Sequence, residues 1–279
     1  MAWLAESCGR RLARALLYPI CLYYVGRSGT VNETLREYYV RVRGGLPDWR
    51  QIFHHYYWFA STILDRVYFL RRKFDQFDIK VQGIDTLDRA LARGRGCLLL
   101  GSHLGSFEVV RAVGLSRGQI EVKVLMDERN APLIRGLIHE LNPAVARTVI
   151  QVGGIDTMLQ VQECLNRGGV VGIMGDRLMT RDRYVQCEFL GAPAAFPTGF
   201  MRLAHVTGAP VVAFFGIYRG GNRYDVQLEW LGESVGRSHD AQDDGVHEWI
   251  QRYADRLAHH SREAPDNWFN FYDFWQSPR

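Results

Sequence analysis

His103 and Glu108 lie five positions apart in the stretch GSHLGSFEVVR, directly after the apolar run GCLLL. A histidine can accept a proton from a hydroxyl or amine, and a carboxylate can hold its other ring nitrogen and stabilise the imidazolium. On a continuous helix the two side chains would point about 140° apart, so they meet only if the chain turns between them. Gly105 permits such a turn. The two residues are therefore either a catalytic pair or ordinary polar residues at the end of a buried strand.

Two further polar clusters follow apolar runs in the same way. In GVVGIMGDR, Asp176 and Arg177 come directly after a predicted strand. Arginines in that position suit a phosphate or an acidic carrier, although a salt-bridged surface loop would have the same sequence. In VKVLMDERNAP, Arg129 and Asn130 begin a predicted helix, whose N-terminus could help to hold an anion. These four residues are candidates for substrate binding.

A fourth segment, FLGAPAAFPTGF, contains two prolines and several small apolar residues. Pro193 and Pro197 predict a stiff loop because each proline fixes its own backbone φ angle. The residues around Phe196 could border a channel for an acyl chain, and plain loop packing is the alternative. Phe196 and Pro197 are therefore also candidates for substrate binding.

The elements that must position these residues follow from the alternation of short β-type runs with helical runs after residue 76. FDIKVQG and CLLLGS are predicted strands with the helix IDTLDRALARG between them, and APVVAFFGIY and RYDVQLEWL are later strands before a final amphipathic helix. This alternation predicts an α/β sandwich with a largely parallel sheet. Ligands of such sheets gather at the carboxyl ends of the strands, where His103 and Asp176 would lie.

The first 75 residues are predicted to be helical, so we expect an N-terminal helical extension, 1–75, and an α/β domain, 76–279. The run LARALLYPICLYYVG, residues 12–26, is too short for a transmembrane helix, which needs about 20 apolar residues, and it contains Arg14 and Pro19. It is therefore expected either to lie on a membrane surface or to pack on the domain.

Composition narrows the remaining function classes. A net charge of +4 is too small to argue for nucleic-acid binding without a motif. The five cysteines lie singly and indicate reduced thiols. We predict no metal site, because the pairs His54-His55 and His259-His260 do not face one way on a helix and no ligand set has a known spacing. No tightly bound cofactor is expected.

Two other functions remain open at this point. A hydrolase would use Ser102 or Ser106 as a nucleophile beside His103, but GSHLGS lacks the spacing of the G-x-S-x-G elbow. A non-catalytic protein that binds a lipid or an acyl carrier would use the arginines and aromatic residues as its binding surface.

SHLGSFE resembles the H-x-x-x-x-[D/E] motif of the lysophospholipid acyltransferase superfamily, and it is most similar in style to the bacterial lipid A late acyltransferases. MDERNAP, GIMGDR and FLGAPAAFPTGFMRLAHVTGAPVV resemble further segments of that family in the same order, and ILDRVYFL and NWFNFYDFW resemble segments of a bacterial branch of predicted acyltransferases. The resemblance covers roughly residues 50–279. It implies a glycerophosphate-acyltransferase-like α/β sandwich with a mostly parallel central sheet.

The resemblance also implies an activity: transfer of an acyl group from a thioester, on acyl carrier protein or coenzyme A, to a hydroxyl or amine of a lipid-like acceptor. His103 would be the general base and Glu108 its partner, with no covalent acyl-enzyme. Arg129 and Arg177 would help to bind phosphate or the acceptor, and Asp176 would shape the site.

The same resemblance implies three partners, namely acyl carrier protein, a lipid acceptor and a membrane surface. It places the protein at the cytoplasmic face of the bacterial inner membrane, peripheral or weakly anchored. The chain departs from the lipid A enzymes at two points: their N-terminal anchor is reduced to residues 12–26, and Ser102 replaces the common Asn before the motif histidine.

Overall fold

The computed structural model describes residues 2–110, 114, 120–127, 132–154, 156–179, 182–233 and 244–276. Long helices come first: α1 (Ala2–Arg27), α2 (Gly29–Arg43) and α3 (Trp49–Leu70). Gly9 has a non-helical backbone (φ 79°, ψ 162°), so α1 consists of two helical pieces joined at a kink. Asp48 begins α3 with a capping box, in which it accepts from the Gln51 N–H while the Gln51 side chain accepts from the Asp48 N–H.

The α/β body follows the predicted alternation. Its strands are β1 (Asp78–Gln82), β2 (Cys97–Gly101), β3 (Val122–Met126), β4 (Val149–Gln151), β5 (Val170–Met174), β6 (Tyr184–Phe189), β7 (Ala192–Pro197), β8 (Val211–Tyr218) and β9 (Arg223–Gly232). Its helices are α4 (Ile84–Leu91), α5 (Pro132–Leu141), α6 (Pro143–Ala146), α7 (Thr157–Asn166), α8 (Gly199–Thr207) and α9 (Asp244–Glu263). Short 3-10 turns lie at Phe74–Gln76, Phe107–Val109 and Pro265–Asn267.

The central sheet has seven strands in the order β1-β9-β8-β2-β5-β3-β4. Neighbouring strands run parallel except for β8 and β9, which form an antiparallel pair. The predicted α/β class, with a mostly parallel sheet and N-terminal helices, is confirmed. Because β2 and β5 are parallel neighbours with Gly101 opposite Met174, their carboxyl ends lie side by side near the middle of the sheet.

Helices cover both faces of this sheet, which explains why β2 and β8 are buried at every position. Leu98 and Leu100 point to one face, where they join a core with residues of α2, α9 and the strands β6 and β7. Cys97 and Leu99 point to the other face, where they join a core with residues of α1, α3 and α4. The aromatic helix α3 therefore packs against the sheet. The division into domains 1–75 and 76–279 stays a prediction.

The segment predicted as a stiff loop around Pro193 and Pro197 is instead strand β7, which pairs with β6 in an antiparallel hairpin. The two residues at the turn, Leu190 and Gly191, both have positive φ, 52° and 83°, as the tight turns of hairpins require. Prolines are tolerated here because this sheet has only two strands, so each strand keeps an edge that needs no N–H donor.

Among the described residues, no helix combines the length and the apolar character that crossing a membrane would require.

Candidate active site

The ends of β2 and β5 bring His103 and Asp176 together. His103 Nδ1 lies 2.8 Å from Asp176 Oδ1, and the main-chain N–H of His103 donates to Oδ2 of the same carboxylate, also at 2.8 Å. The carboxylate thus holds both the backbone and the ring of one residue. The orientation of the imidazole is fixed by these two bonds.

The pairing of β2 with β5 brings His103 and Asp176 together. Gly175 donates its N–H to the Gly101 carbonyl at 2.9 Å, which carries the β2–β5 pairing one step beyond the last residue of β5. The Tyr253 hydroxyl of α9 donates to the same Gly101 carbonyl at 2.8 Å. His103 and Asp176 each follow within two residues of these strand ends, so they emerge beside each other.

The electrostatics of the pair follow from burial and charge. Asp176 is 1% exposed, and this burial by itself would raise the pKa of its carboxyl. The charge and hydrogen bonds of His103 and the charge of Arg177 outweigh burial and lower that pKa to about 2. An ionised carboxylate can only accept hydrogen bonds, so Nδ1 carries a hydrogen and Nε2 is the ring nitrogen that is not bound to Asp176. The His103 side chain is 32% exposed.

Trp268 is a third member of this group. Its indole Nε1–H donates to Asp176 Oδ2 at 3.1 Å, and the residue is almost fully buried. The sequence analysis assigns no role in the site to the aromatic tail and therefore misses this contact. Only a general rule could have indicated the contact: a buried tryptophan N–H needs an acceptor, and a buried carboxylate can supply one.

The chain tail fastens the loop that carries His103. Gly105 donates its N–H to the Asn267 carbonyl at 2.8 Å, and Phe269 donates its N–H to the His103 carbonyl at 2.9 Å. Gly105 itself has φ +73°, and a Cβ there would lie 1.9 Å from the Gly216 carbonyl oxygen. Only glycine fits this turn, because any side chain would collide with the main chain of β8.

Glu108 lies in the 3-10 turn after this loop and is nearly fully buried. Its carboxylate oxygen Oε1 is 3.9 Å from Nε of Arg66 in α3. The carboxylate that contacts Nδ1 of His103 is therefore that of Asp176, whereas Glu108 lies toward α3. The turn at Gly105 does redirect the chain, as the sequence argument required, but it leads Glu108 toward another partner.

Arg177 lies at the edge of the pair, as a half-buried residue. Its Nη2 donates to the Phe269 carbonyl at 2.5 Å, and its guanidinium carbon lies 5.7 Å from the centre of the Tyr272 ring. Within the part of the chain that the structure describes, its buried Nε has no hydrogen-bond partner. Arg177 is thus a cation beside the carboxylate, and its Nε–H is buried without an acceptor among the described residues.

The remaining predicted binding residues lie elsewhere. Arg129 and Asn130 fall outside the described residues. Phe196 is fully buried in the core, with its ring centre 5.5 Å from that of Phe189 and 6.2 Å from that of Tyr253. Pro197 pairs with Tyr184 across the hairpin. Phe196 reaches the site indirectly, through Tyr253 on one side and through Phe189 and Trp268 on the other.

Comparison with known proteins adds to this geometry. Residues 56–277 match the family model described as bacterial lipid A biosynthesis acyltransferase. The chain is 27% identical over 291 residues to the phosphatidylinositol mannoside acyltransferase of Mycobacterium tuberculosis H37Rv, an alignment that covers 98% of this chain and 86% of that relative. It is also 27% identical over 206 residues to the protein of the same name from strain CDC 1551 / Oshkosh, covering 74% of this chain and 62% of that relative.

Proposed function

Because the chain belongs to the bacterial lipid A biosynthesis acyltransferase family, we propose that it moves a fatty acyl group from a thioester to a hydroxyl of a glycolipid, with His103 as the general base. The contact between His103 Nδ1 and the buried Asp176 carboxylate is the observation that carries this proposal. It leaves Nε2 as the ring nitrogen that could take a proton from a substrate. The pair also lies within the region that matches the family.

The reaction is a direct transfer. Nε2 of His103 takes the proton of the acceptor hydroxyl while its oxygen attacks the thioester carbonyl carbon. Asp176 stabilises the imidazolium that forms. The tetrahedral intermediate then collapses, the C–S bond breaks, and the departing thiolate takes the proton from Nε2. The products are the new ester, which carries the acyl group, and the free thiol, which carries the proton.

The cysteines at 21, 97, 164 and 187 support transfer without an acyl-enzyme. All four are buried. Burial raises the pKa of the Cys97 thiol to about 12 and that of Cys21 to about 11, so their reactive thiolate form is scarce at neutral pH.

The substrates are proposed from chemistry and from the relatives' names. Lipid A and phosphatidylinositol mannosides are both glycolipids, which favours a sugar hydroxyl over an amine as the acceptor. Either acyl carrier protein or coenzyme A can supply the thioester, and the net charge of +4 favours the acidic carrier protein. The half-buried Arg177 guanidinium at the edge of the site would suit a phosphate or an acidic group.

We further propose that the protein works at a membrane surface, at the cytoplasmic face of the bacterial inner membrane. The support is the number of exposed apolar side chains on α1, namely Leu12, Leu16, Tyr18, Ile20, Leu22, Tyr23 and Tyr24. Side chains of this kind are suited to the boundary between headgroups and acyl chains.

The experiment that tests the function is lipid mass spectrometry on cells that produce the wild-type protein, the His103→Ala variant or neither. We expect an acylated glycolipid that appears with the wild type and is lost with the variant. With purified proteins, the variant should transfer at least about a hundredfold more slowly, in line with the contribution of general base catalysis. A folded His103→Ala protein with near-normal transfer would rule out the base, and a wild type that binds acyl carrier protein but acylates no glycolipid would favour a binding protein.

A further inference from the structure

A second cluster of titratable side chains lies on α9, away from the contacts that join His103 to Asp176. His259, His260 and Glu263 each offer a donor atom, and these three atoms lie within 4.8 Å of one another. His259 Nε2 is 3.6 Å from Glu263 Oε1, and His260 Nδ1 is 3.5 Å from Glu263 Oε2. The sequence analysis considered the two histidines without Glu263. One turn of the helix places this carboxylate near both of them.

His260 is the residue that points to a ligand. It is 3% exposed, and its Nδ1 is buried and has no hydrogen-bond partner among the described residues. Its other nitrogen, Nε2, lies 2.8 Å from Glu229 Oε1. Because burial of an unpaired ring nitrogen is unfavourable, the free position at Nδ1 requires an explanation.

The residues around His260 fix the orientation of its imidazole ring. Arg256 donates to both oxygens of Glu229, at 2.5 and 2.7 Å. Glu229, paired with Arg256 through both oxygens, accepts from Nε2 of His260, so Nδ1 is the ring nitrogen left for a ligand. The Phe215 ring, with its centre 4.3 Å from that of His260, holds the imidazole in this orientation.

This arrangement matches what a bound divalent metal needs. A histidine ligand commonly donates its second nitrogen to a carboxylate, as His260 does to Glu229. Ligand atoms about 2.0–2.1 Å from a tetrahedral zinc ion lie roughly 3.4 Å from each other. Each histidine nitrogen here lies 3.5–3.6 Å from one of the two oxygens of Glu263. The C-terminal end of a helix also carries partial negative charge, which favours a cation.

We propose that His259, His260 and Glu263 form a binding site for a zinc-type divalent metal ion at the C-terminal end of α9. Two imidazole nitrogens and one carboxylate suit zinc, cobalt or nickel, and water would complete the coordination on the exposed side. From Glu263 the chain runs through the turn Pro265–Asn267 to Trp268, which contacts Asp176. The metal would therefore stabilise the helix end from which the tail enters the active site.

The test is titration of the tag-free protein with Co²⁺ and Zn²⁺. We expect one equivalent of Co²⁺ to bind with the intense visible absorption of tetrahedral cobalt, and Zn²⁺ to displace it. His259→Ala and Glu263→Gln should each weaken binding at least about tenfold. Because both side chains are half exposed, the variants should fold normally, and saturating Zn²⁺ should raise the Tm of the wild type but not that of Glu263→Gln.

The second His-His pair of the chain gives a matched control. His54 and His55 are also adjacent on a helix, but Tyr57, Trp58 and Phe59 occupy the following positions where a carboxylate would have to lie. The His54→Ala variant should bind both metals like the wild type. Three results would each overturn the proposal: no saturable binding by the wild type, equal affinity in Glu263→Gln, or equal weakening in His54→Ala. The two histidines and Glu263 would then form an ion pair only. Each readout is independent of acyl transfer.

Discussion

The Asp176 carboxylate accepts from the main-chain N–H of His103, from the His103 ring and from the Trp268 indole. Two of these contacts come from His103 itself. The third, from the indole, holds the carboxylate in position. Trp268 is therefore a positioning residue for the proposed base, His103, and its effect should appear in the rate of transfer rather than in donor binding.

We expect Trp268→Phe to lower kcat about 10- to 100-fold, since a hydrogen bond to a charged group contributes roughly 1.5–3 kcal/mol. The KM for the acyl thioester should stay close to the wild-type value. Steady-state kinetics with varied thioester measures both quantities.

Trp275 supplies the control for this change. It lies in the same tail, and its indole N–H donates to the Phe189 carbonyl at 3.2 Å rather than to the active site. Trp275→Phe should leave kcat nearly unchanged. Equal losses of kcat in both variants would show that the tail acts only through packing.

At the scale of elements, α1 has both buried and exposed apolar side chains. Ala13, Leu17 and Cys21 are buried against the body. Arg10 anchors the helix by donating twice to the buried carboxylate of Asp65 in α3, at 2.7 Å for each oxygen. The exposed apolar side chains between Leu12 and Tyr24 lie around the rest of the helix, where Tyr18 and Tyr24 also contact aromatic rings of α3.

If these exposed side chains contact lipid, Leu16→Glu combined with Tyr23→Glu should weaken binding to anionic phospholipid vesicles at least about tenfold, because buried apolar area and headgroup attraction are both lost. Sedimentation with the vesicles measures the bound fraction. Val206 on α8 is similarly exposed, at 67%, so Val206→Glu is the matched control and should bind like the wild type. Unchanged binding of the α1 variant would show that another surface contacts the membrane.

Several elements could be predicted from the sequence because their signals are local. The strands after residue 76 appear as short apolar runs bounded by turn residues, and β2 lies where CLLLGS predicts it. The hairpin β6–β7 was not predicted because prolines and alanines dominate β7, whereas its pairing depends on the turn at Leu190 and Gly191. Its identification requires the cross-strand partner, which a single segment does not show.

At the scale of the whole molecule, the site depends on contacts between distant parts of the chain. His103 and Asp176 are 73 residues apart, and Asp176 and Trp268 are 92 residues apart. Sequence reasoning identified the first two as strand-end residues but paired His103 with Glu108, the carboxylate that is close in sequence. The order of strands in the sheet decides which strand ends are neighbours, and local patterns do not contain that order.

The buried His55 makes the stability of the whole fold depend on pH. It is fully buried among aromatic rings that include Tyr38, Phe269 and Phe271, and burial lowers its pKa to about 3. In the unfolded chain the pKa is near 6.5, so protonation favours unfolding as pH falls. The stabilisation is fully present above about pH 6.5 and is lost progressively between pH 6.5 and 3.

We therefore expect the urea midpoint of the wild type to fall more steeply between pH 7 and 5 than that of His55→Phe, which cannot take up a proton at this position. The largest slope that one proton allows is about 1.4 kcal/mol per pH unit. His54→Ala, at the neighbouring exposed position, should keep the wild-type slope. Parallel pH curves for the wild type and His55→Phe would contradict the effect of burial.

The central claim is that His103 and Asp176 act as one unit, and a double-mutant cycle on acyl-transfer rates tests it most directly. Because Asp176 acts through the imidazole, adding Asp176→Asn to His103→Ala should cost little further rate, although each change alone is expected to be severe. Glu108→Gln is the comparison, since this buried carboxylate lies near Arg66. The loss of transfer rate in Glu108→Gln should add to the loss in His103→Ala. Losses that add for Asp176 but not for Glu108 would contradict the pairing seen in the structure and assign the partner of His103 to Glu108.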